Sequence, residues 1–427
     1  MRNSPDRQSL WGAGMTMRRA LCAMLTLSVA ALAAVPPVPA AALSNGVLTQ
    51  GPGCVPPPYG ADPYAPRPTF RNQTRAPQVR KDSAYAVQVF ATGLSFPRSV
   101  AFLPDGRLLV VERGGRMLTI DKAGRLSAPI AGLPPIPQGR GPSLFDVALD
   151  PAFASNRTLY YSYFAPDPAR AQPGRAAPSV GRIIRARLSA AGDGLEDQKI
   201  LYEGGAARRL AVGAKDQLFF STASADGKEA QALDKDGGKV LRIRTDGSVP
   251  KDNPLVGRPG ALAAIYSWGH RAVDGLTVRA GDGAVWAVEN GPRGGDELNR
   301  IRPGRDYGFP TIGYGREYSN DPINGDLTAK AGMEQPVYFW TPDIAPSDVM
   351  FYSGRLFPQW KGDAFVSAMV SKRLFRLVMR NGRVVGHESL LTDRCERIRA
   401  VRQGPDGALY VLTDESAAVV LRIVPKR

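Results

Sequence analysis

Histidine and cysteine are scarce in this sequence, whose 427 residues include 2 His and 3 Cys. A histidine-rich zinc site, a Cys₄ site and haem attachment through a CxxCH motif are therefore excluded. Any chemistry that depends on histidine has to use His270 or His387. Long apolar runs are lacking too, since the apolar segment 20–35 is short for a membrane span and no other segment is long enough.

The N-terminus has the pattern of a secretory signal. Arg18 and Arg19 precede the apolar segment 20–35, and a small-residue run follows at 40–42. A charged start, a short apolar middle and a small-residue cleavage site predict a signal peptide over residues 1–42. We therefore expect a bacterial protein that is periplasmic or secreted, and the paired arginines leave twin-arginine export open as a second route.

The cysteines bear on the same compartment. Cys22 lies within the signal, so Cys54 and Cys395 are the cysteines that would remain in the mature chain. An even pair in an oxidising compartment predicts a disulfide between the N-terminal arm and the C-terminal part of the fold. Two unpaired thiols are the alternative.

The chain is strongly basic, with a formal net charge of +16. Removing residues 1–42 takes away four arginines and one aspartate, so about +13 remains on the mature protein. Such charge is compatible with nucleic acid, anionic lipid or an anionic small ligand. Because no basic run or nucleic-acid motif accompanies it, an arginine-rich surface on a soluble protein is favoured.

Glycine and proline are abundant, with 46 Gly and 37 Pro, which favours many short strands and turns. Residues 43–83 form a proline-rich extension with too few apolar residues to pack alone. The globular body is therefore predicted over residues 84–427.

A repeated unit runs through this body: an apolar strand, a tight turn with Asp or Gly, and a second apolar strand. The turn aspartates are Asp105, Asp150, Asp216, Asp282 and Asp406. The segment that begins MFYSGRLFPQW at Met350 fills the long gap before the last of them, so the units number six. Sheet units of this size without intervening amphipathic helices predict an all-β fold, a six-bladed β-propeller, with ligands at one mouth of its channel. A pair of β-sandwiches is the alternative.

The segment ENGPRGGDELNRIRPGRDYGFP, residues 289–310, crowds glycines and carboxylates after a strand. This suits a loop whose acids and backbone carbonyls face a hard cation, with a strained turn bearing solvated charges as the alternative. Together with GLSFPRSVAFLPDGRLLVVER from Gly93, SWGHR from Ser267 and RIRAVRQGPDGALYVLTDE from Arg397, it resembles the soluble quinone-dependent glucose and aldose sugar dehydrogenases. The resemblance extends from about Val89 to Pro425 and implies a six-bladed propeller that uses pyrroloquinoline quinone and calcium.

The resemblance also implies a set of binding residues. The main-chain carbonyls of Gly291 and Pro292, with Glu289 alongside, would hold calcium. Guanidinium groups would meet the carboxylates and oxygens of the quinone, and a lysine is expected near them. The residues assigned to the quinone in this way are Arg271, Arg397, Arg399 and Lys372. For each arginine, a surface ion pair with a nearby Asp or Glu is the alternative.

Five positions depart from the family pattern. The histidine that would remove the proton from the sugar hydroxyl is replaced, because Gly205 stands at its place. The other departures, where the family has Asp, Gln, Asn and Lys, fall at Ser224, Gly141, Ala272 and Val370. His270 is expected to be architectural and His387 to lie in a solvated polar loop. Asp146 and Asp343 are the acids that could replace the base.

Two functions of different classes follow. One is an exported dehydrogenase that depends on pyrroloquinoline quinone and calcium and oxidises the CH–OH group of an aldose or related sugar for an electron acceptor. The other is a catalytically degenerate periplasmic propeller that binds a ligand or a protein partner at the same mouth. A calcium-dependent lactone hydrolase is a third possibility by analogy of fold alone.

Overall fold

The computed structural model describes residues 66–79, 84–136, 143–167, 179–224 and 227–426. The signal peptide, Cys54 and Gly141 lie outside these ranges, so export and the Cys54–Cys395 disulfide stay predictions. All described residues belong to one compact unit, Val47–Arg427. Within them, no helix has the length and apolar character needed to cross a membrane.

Apolar strands separated by tight turns fold here into six mainly antiparallel sheets, the blades of a β-propeller. The strands in the middle of a blade are buried on both faces, so they read as continuous apolar runs such as LLVVE at Leu108–Glu112 and VWAVE at Val285–Glu289. Each innermost strand contacts the innermost strand of the next blade, and the sixth contacts the first. This closed circle confirms the predicted all-β six-bladed propeller.

The strands and short helices have the following bounds. The N-terminal strand is β1 (Tyr85–Leu94). Blade 1 contains β2 (Pro97–Phe102), β3 (Leu108–Glu112) and β4 (Met117–Ile120). Blade 2 contains β5 (Ser143–Leu149), β6 (Thr158–Pro166), β7 (Ser179–Leu188) and β8 (Leu195–Gly204). Blade 3 contains β9 (Ala206–Val212), β10 (Gln217–Ala223), β11 (Lys239–Arg244), β12 (Ile265–Trp268) and β16 (Arg305–Asp306). Blade 4 contains β13 (Val273–Val278), β14 (Val285–Glu289), β15 (Asp296–Ile301) and β17 (Tyr338–Trp340). Blade 5 contains β18 (Pro346–Phe351), β19 (Ala364–Ala368), β20 (Arg373–Arg380) and β21 (Arg383–Leu390). Blade 6 contains β22 (Ile398–Gln403), β23 (Leu409–Thr413) and β24 (Ala418–Pro425). Helices are α1 (Phe153–Asn156), α2 (Gly227–Gln231) and 3₁₀ turns at Ile323–Asp326 and Pro358–Trp360.

Blade 6 is completed by a strand from the other end of the chain. β1 pairs antiparallel with β24, from Tyr85 opposite Pro425 to Leu94 opposite Ala418. The first and last strands of the body therefore belong to one sheet, which closes the circle of blades without leaving a terminal blade open.

Residues 66–79 pack against blades 4 and 5. The side chain of Gln73 is fully buried, and the main-chain carbonyl of this residue accepts a hydrogen bond from the Phe339 amide at 2.8 Å. Ala76 O lies 2.6 Å from His387 Nδ1, and burial lowers the pKa of this histidine, which belongs to β21. The prediction that His387 lies in a solvated loop is therefore wrong, because the histidine is half-buried against this segment.

Candidate active site

Each innermost strand carries a β-bulge near its first residue, where it has one residue more than the second strand of the blade. A bulge re-aims a side chain, and bulges are common at the rims of closed sheets and next to active sites. We call the six extra residues the bulge ring: Arg98, Phe145, Arg208, Asp274, Ser347 and Arg399.

Arg209, the residue after one ring member, connects its own blade 3 to three other blades. Its guanidinium donates hydrogen bonds to the main-chain carbonyls of Asp274 at 2.6 Å, Ser347 at 2.7 Å and Arg98 at 3.1 Å. The side chain is 1% exposed. A bulge turns the carbonyl of its residue as well as the side chain, and here three of these carbonyls are satisfied by one cation.

A cavity of about 470 Å³ is bordered by two ring members and by loops within and between blades 3, 4 and 5. Arg208 and Asp274 line it as an ion pair with an N–O distance of 2.7 Å. Burial alone would raise the pKa of Asp274, but Arg208, Arg209 and Arg399 outweigh burial and lower it. Asn290 donates to the second oxygen of the same carboxylate at 3.0 Å.

The structure brings three of the predicted binding residues to this cavity: Arg271, Gly291 and Pro292. Arg271 Nη1 donates to Asn290 O at 2.9 Å and to Gly291 O at 3.0 Å. The carbonyl that the resemblance assigns to calcium is thus already a partner of a guanidinium group. A carbonyl oxygen has two lone pairs, so it can accept a second partner.

Glu289, the third predicted calcium ligand, is buried beside the cavity and bonded within the protein. Its carboxylate accepts hydrogen bonds from the Arg271 amide at 3.0 Å and from Asn299 Nδ2 at 2.7 Å. Glu297 stands opposite it on β15, and burial together with the charge of Glu289 raises the pKa of Glu297 well above its usual range. Among the described residues, no group of three or more His, Cys, Asp or Glu side chains converges as a metal site.

The remaining predicted quinone ligands differ in their surroundings. Arg399 is buried and bonds Asp414 at 2.8 Å, while Arg397 is more exposed and lies 3.4 Å from the same carboxylate. Lys372 is exposed and is not part of the cavity wall. Val370, two residues earlier, does line the cavity.

Three of the positions predicted to depart from the family pattern, Ser224, Ala272 and Val370, also line this cavity. A fourth, Gly205, lies against Asp236. A β-carbon added to Gly205 would stand 2.7 Å from Asp236 Oδ1, and the Gly205 amide donates to Asp236 Oδ2 at 2.7 Å. Asp236, which also accepts a hydrogen bond from the Tyr202 hydroxyl, therefore occupies the space that a side chain at 205 would need.

His270 has no access to the cavity. It is fully buried, stacks on Tyr307 with a ring-centroid distance of 4.6 Å, and its Nε2 lies 2.8 Å from Ser267 Oγ. Its Nδ1 faces Glu289 at 3.4 Å. These contacts suit the architectural part that the sequence predicts for this histidine.

Of the two acids considered as replacement bases, the structure places Asp343 at the cavity and Asp146 below it. Asp146 is 1% exposed and accepts hydrogen bonds from the amides of Leu210 and Val147. Asp343 lines the cavity with Asp296, which receives amide hydrogen bonds from Gly291, Ile344 and Ala345 at 2.7 to 2.9 Å. Burial and the charge of Asp343 raise the pKa of Asp296 to about 7.

Sequence reasoning missed the bulge-ring arginines Arg98 and Arg208, together with Asp274. A signal for them exists in the repeat. When the six innermost strands are aligned on the apolar residue that follows the bulge, the ring member always stands two positions before a Val or Leu, as in Arg98-Ser99-Val100.

Comparison with known proteins agrees with the fold. The glucose / sorbosone dehydrogenase family matches residues 94–422 of this chain. Aldose sugar dehydrogenase YliI of Escherichia coli (strain K12) is 36% identical over 357 residues, which cover 80% of this chain and 93% of YliI. The chain belongs to the glucose / sorbosone dehydrogenase family, as its motifs predict.

Solved structures show the same propeller. A glucose dehydrogenase crystal structure has a TM-score of 0.75 and 38% identity, and the match covers 80% of this chain and 100% of that one. The PQQ-bound aldose sugar dehydrogenase from Streptomyces coelicolor has a TM-score of 0.63 and 26% identity, with coverage of 80% and 99%. The family is one of oxidoreductases that act on sugars.

Proposed function

We propose that this protein is an exported oxidoreductase, dependent on pyrroloquinoline quinone and calcium, that oxidises the CH–OH group of an aldose or related sugar in the 470 Å³ cavity. One observation carries the proposal. The cavity gathers Arg271, Gly291 and Pro292, which the resemblance assigns to cofactor binding, from segments on both sides of β13 and β14. Export is supported by the signal pattern of residues 1–42.

The donors present fit a flat polyanion such as this quinone. Arg271, Arg397 and Arg399 would hold its carboxylates, and Arg399 Nε is buried without an acceptor among the described residues. Buried guanidinium groups favour planar oxyanions because they bind them through two parallel hydrogen bonds. When bound, the quinone supplies the two-electron acceptor that takes a hydride from the sugar carbon.

The residues present fit calcium less well than they fit the quinone, because the oxygens assigned to calcium already accept hydrogen bonds within the protein. The Gly291 carbonyl has to share its oxygen with Arg271, and the Glu289 carboxylate is committed to the Arg271 amide and to Asn299. Calcium prefers six to eight oxygen ligands, so main-chain carbonyls and oxygens outside the protein would have to complete its shell. We therefore assign no step of the reaction to calcium.

Oxidation removes a hydride from carbon and a proton from the hydroxyl, and the proton needs a base. Asp274 is paired with Arg208 and Asn290, and Asp296 already accepts three amide hydrogen bonds. Asp343 is the other carboxylate that lines the cavity within the described part of the chain, and its Oδ1 accepts a hydrogen bond from the Gly294 amide. We therefore assign to Asp343 the role of the base that accepts the hydroxyl proton, in place of the histidine that the family pattern expects at Gly205.

The test is to titrate the mature protein with the quinone and Ca²⁺, follow binding by quinone fluorescence, and assay aldoses with an artificial electron acceptor. Asp343→Asn should lower kcat about 10²- to 10⁴-fold with little change in quinone affinity. Asp282→Asn, in an exposed turn of blade 4, is the control. Absence of quinone binding by the wild type contradicts the proposal.

The alternative is a degenerate propeller that binds a ligand or protein partner at this mouth. The observation in its favour is that Asp236 closes the space at Gly205, while Asp274 and Asp296 are locked in internal bonds. Quinone binding without turnover of any aldose would support this second function.

A further inference from the structure

The bulge ring and its neighbours hold more positive than negative charge. Its guanidinium groups belong to Arg98, Arg208, Arg209, Arg397 and Arg399. Two carboxylates pair with three of these, since Asp274 bonds Arg208 and Asp414 is shared by Arg399 and Arg397. A third, Asp146, lies 3.7 Å from Arg209 beneath the ring, and burial raises its pKa.

Arg98 is the ring arginine without a carboxylate. No acidic group of the described chain lies within 4 Å of its guanidinium, which stands 5.1 Å from the centroid of the Phe145 ring. Its Nε is buried and has no acceptor among the described residues. Burial and the charges of Arg399 and Arg209 lower its pKa to about 9, and the charges of Asp414 and Asp274 offset this only in part.

Arg208 approaches the same aromatic ring from the neighbouring blade, with its guanidinium 5.7 Å from the Phe145 centroid. Its Nε is also buried without an acceptor in the described part of the chain. Asp274 accepts from Nη1 of Arg208, so the Nε donor is left over. The guanidinium group of Arg209 lies 5.2 Å from the same centroid, so three guanidinium groups surround one aromatic ring. Of these, Arg98 and Arg208 each keep an Nε donor without an acceptor among the described residues.

Buried donors are nearly always satisfied in native proteins, so unsatisfied donors beside a ligand cavity indicate a missing acceptor. An oxyanion fits, because it accepts from both guanidinium groups and neutralises their repulsion. The resemblance already assigns Arg271, Arg397 and Arg399 to the quinone. Arg98 and Arg208 have no such assignment, although Arg208 lines the cavity where the sugar would lie.

We propose that the sugar oxidised here is anionic and that Arg98 and Arg208 bind its carboxylate or phosphate group. This inference rests on the proposed function for the oxidation itself, and it specifies the substrate class. With a neutral aldose, the Nε donors of both arginines would stay without an acceptor among the described residues, and Arg98 would stay without an ion pair.

The experiment compares glucose, glucuronate and glucose 6-phosphate, which share a free anomeric carbon and differ in charge. The full mature chain, loaded with the quinone and Ca²⁺, should show a kcat/KM for one anionic sugar roughly 10- to 100-fold above that for glucose. Whether glucuronate or glucose 6-phosphate is preferred distinguishes a carboxylate from a phosphate. Arg98→Gln and Arg208→Gln should reduce this preference roughly tenfold or more.

Arg125→Gln is the matched control, since it removes one positive charge at an exposed turn of blade 1 and should leave the preference intact. Thermal unfolding checks that each variant is folded. Equal kcat/KM for glucose and both anions overturns the inference. It is also overturned if the two variants weaken quinone binding while the preference stays constant, because the arginines then hold the quinone.

If no sugar is turned over, the proposed function fails and calorimetry still tests the inference. Glucuronate or glucose 6-phosphate should bind the wild type and lose affinity roughly tenfold or more in Arg98→Gln. Binding of neither anion overturns the anion site, whereas binding of one supports it independently of catalysis.

Discussion

Two successive positions of the same six strands have opposite roles. At the bulge ring, Arg98, Arg208 and Arg399 each keep a buried Nε without an acceptor among the described residues. One residue further along the strands, the charged side chains are bonded within the protein. Arg209 donates to three carbonyls, and Asp146 and Asp348 each accept from two main-chain amides.

The difference between these two positions separates residues that stabilise the fold from residues that are available to bind a ligand. Asp146 joins blade 2 to blade 3 through the Leu210 amide, and Asp348 joins blade 5 to blade 6 through the Val401 amide. A polar group whose bonds are all internal stabilises the fold, and one with donors left over is available to a ligand. The bulge lets a strand serve both purposes within two residues, as β9 does with Arg208 and Arg209.

The strongest test of this division between the two positions is to replace Arg209. Arg209→Met should lower the free energy of unfolding by about 3–5 kcal/mol, because it leaves Asp146 without its cation and three buried carbonyls without a donor. Denaturant unfolding measures the loss. Arg98→Met, at the ring and without an ion pair among the described residues, should cost less than about 1 kcal/mol. Equal losses would contradict the division.

A second test asks whether ring arginines bind the cofactor. Arg399→Gln should raise the Kd of pyrroloquinoline quinone roughly 10- to 100-fold, since a charge-assisted contact is lost. Arg402→Gln is the matched control, because Arg402 lies on the same strand but pairs with Asp348 beneath the ring. A similar Kd for the two variants would place the quinone elsewhere.

A third test uses pH. Burial alone would raise the pKa of Asp414, but Arg399, Arg98 and Arg397 outweigh burial and lower it, whereas burial raises the pKa of Asp146. Asp414 therefore stabilises the fold above its ordinary pKa of 3.8, and that stability is lost as the pH falls through the lower folded pKa. For Asp146 the sign is reversed, because the ionised form is disfavoured in the folded state.

The two asparagine variants should consequently differ from the wild type in opposite ways. The deficit of Asp414→Asn should be widest at neutral pH and shrink in acid. The deficit of Asp146→Asn should shrink as the pH rises from acid towards neutral. Urea unfolding between pH 3 and 7.5 decides the matter, and parallel curves for the two variants would contradict the assigned pKa directions.

The fold was readable from the sequence because its signals are local and repeated. Turn residues such as Asp105 and Asp406 stand between the first and second strands of their blades, where the repeat predicts them. The closure by β1 was not readable, since an isolated apolar strand does not reveal which sheet it joins. That pairing connects Tyr85 with Pro425 across the whole body.

The site was readable in part. Motif matching predicts binding roles for Arg271, Gly291 and Pro292, and the structure places them at one cavity. It does not reveal that Arg271 bonds the Gly291 carbonyl, because this contact depends on how a loop folds back after β14. A bulge is equally hidden in any single strand, because it is defined by the pairing with a second strand.

The smallest expected effect extends the comparison from the floor of the cavity to its rim. Lys372 is near the expected lysine in sequence but is not part of the cavity wall, whereas Val370 lines the wall and is 52% exposed. Lys372→Ala should change the Kd of the quinone less than about twofold, and Val370→Lys should lower it roughly two- to fivefold, because an exposed charge contributes little in water. Fluorescence titration compares the two. A large loss of affinity in Lys372→Ala would contradict this expectation and would mean that the loop carrying Lys372 closes over the cavity. In that case the position of Lys372 in the sequence would predict the contact with the quinone better than its position in the fold.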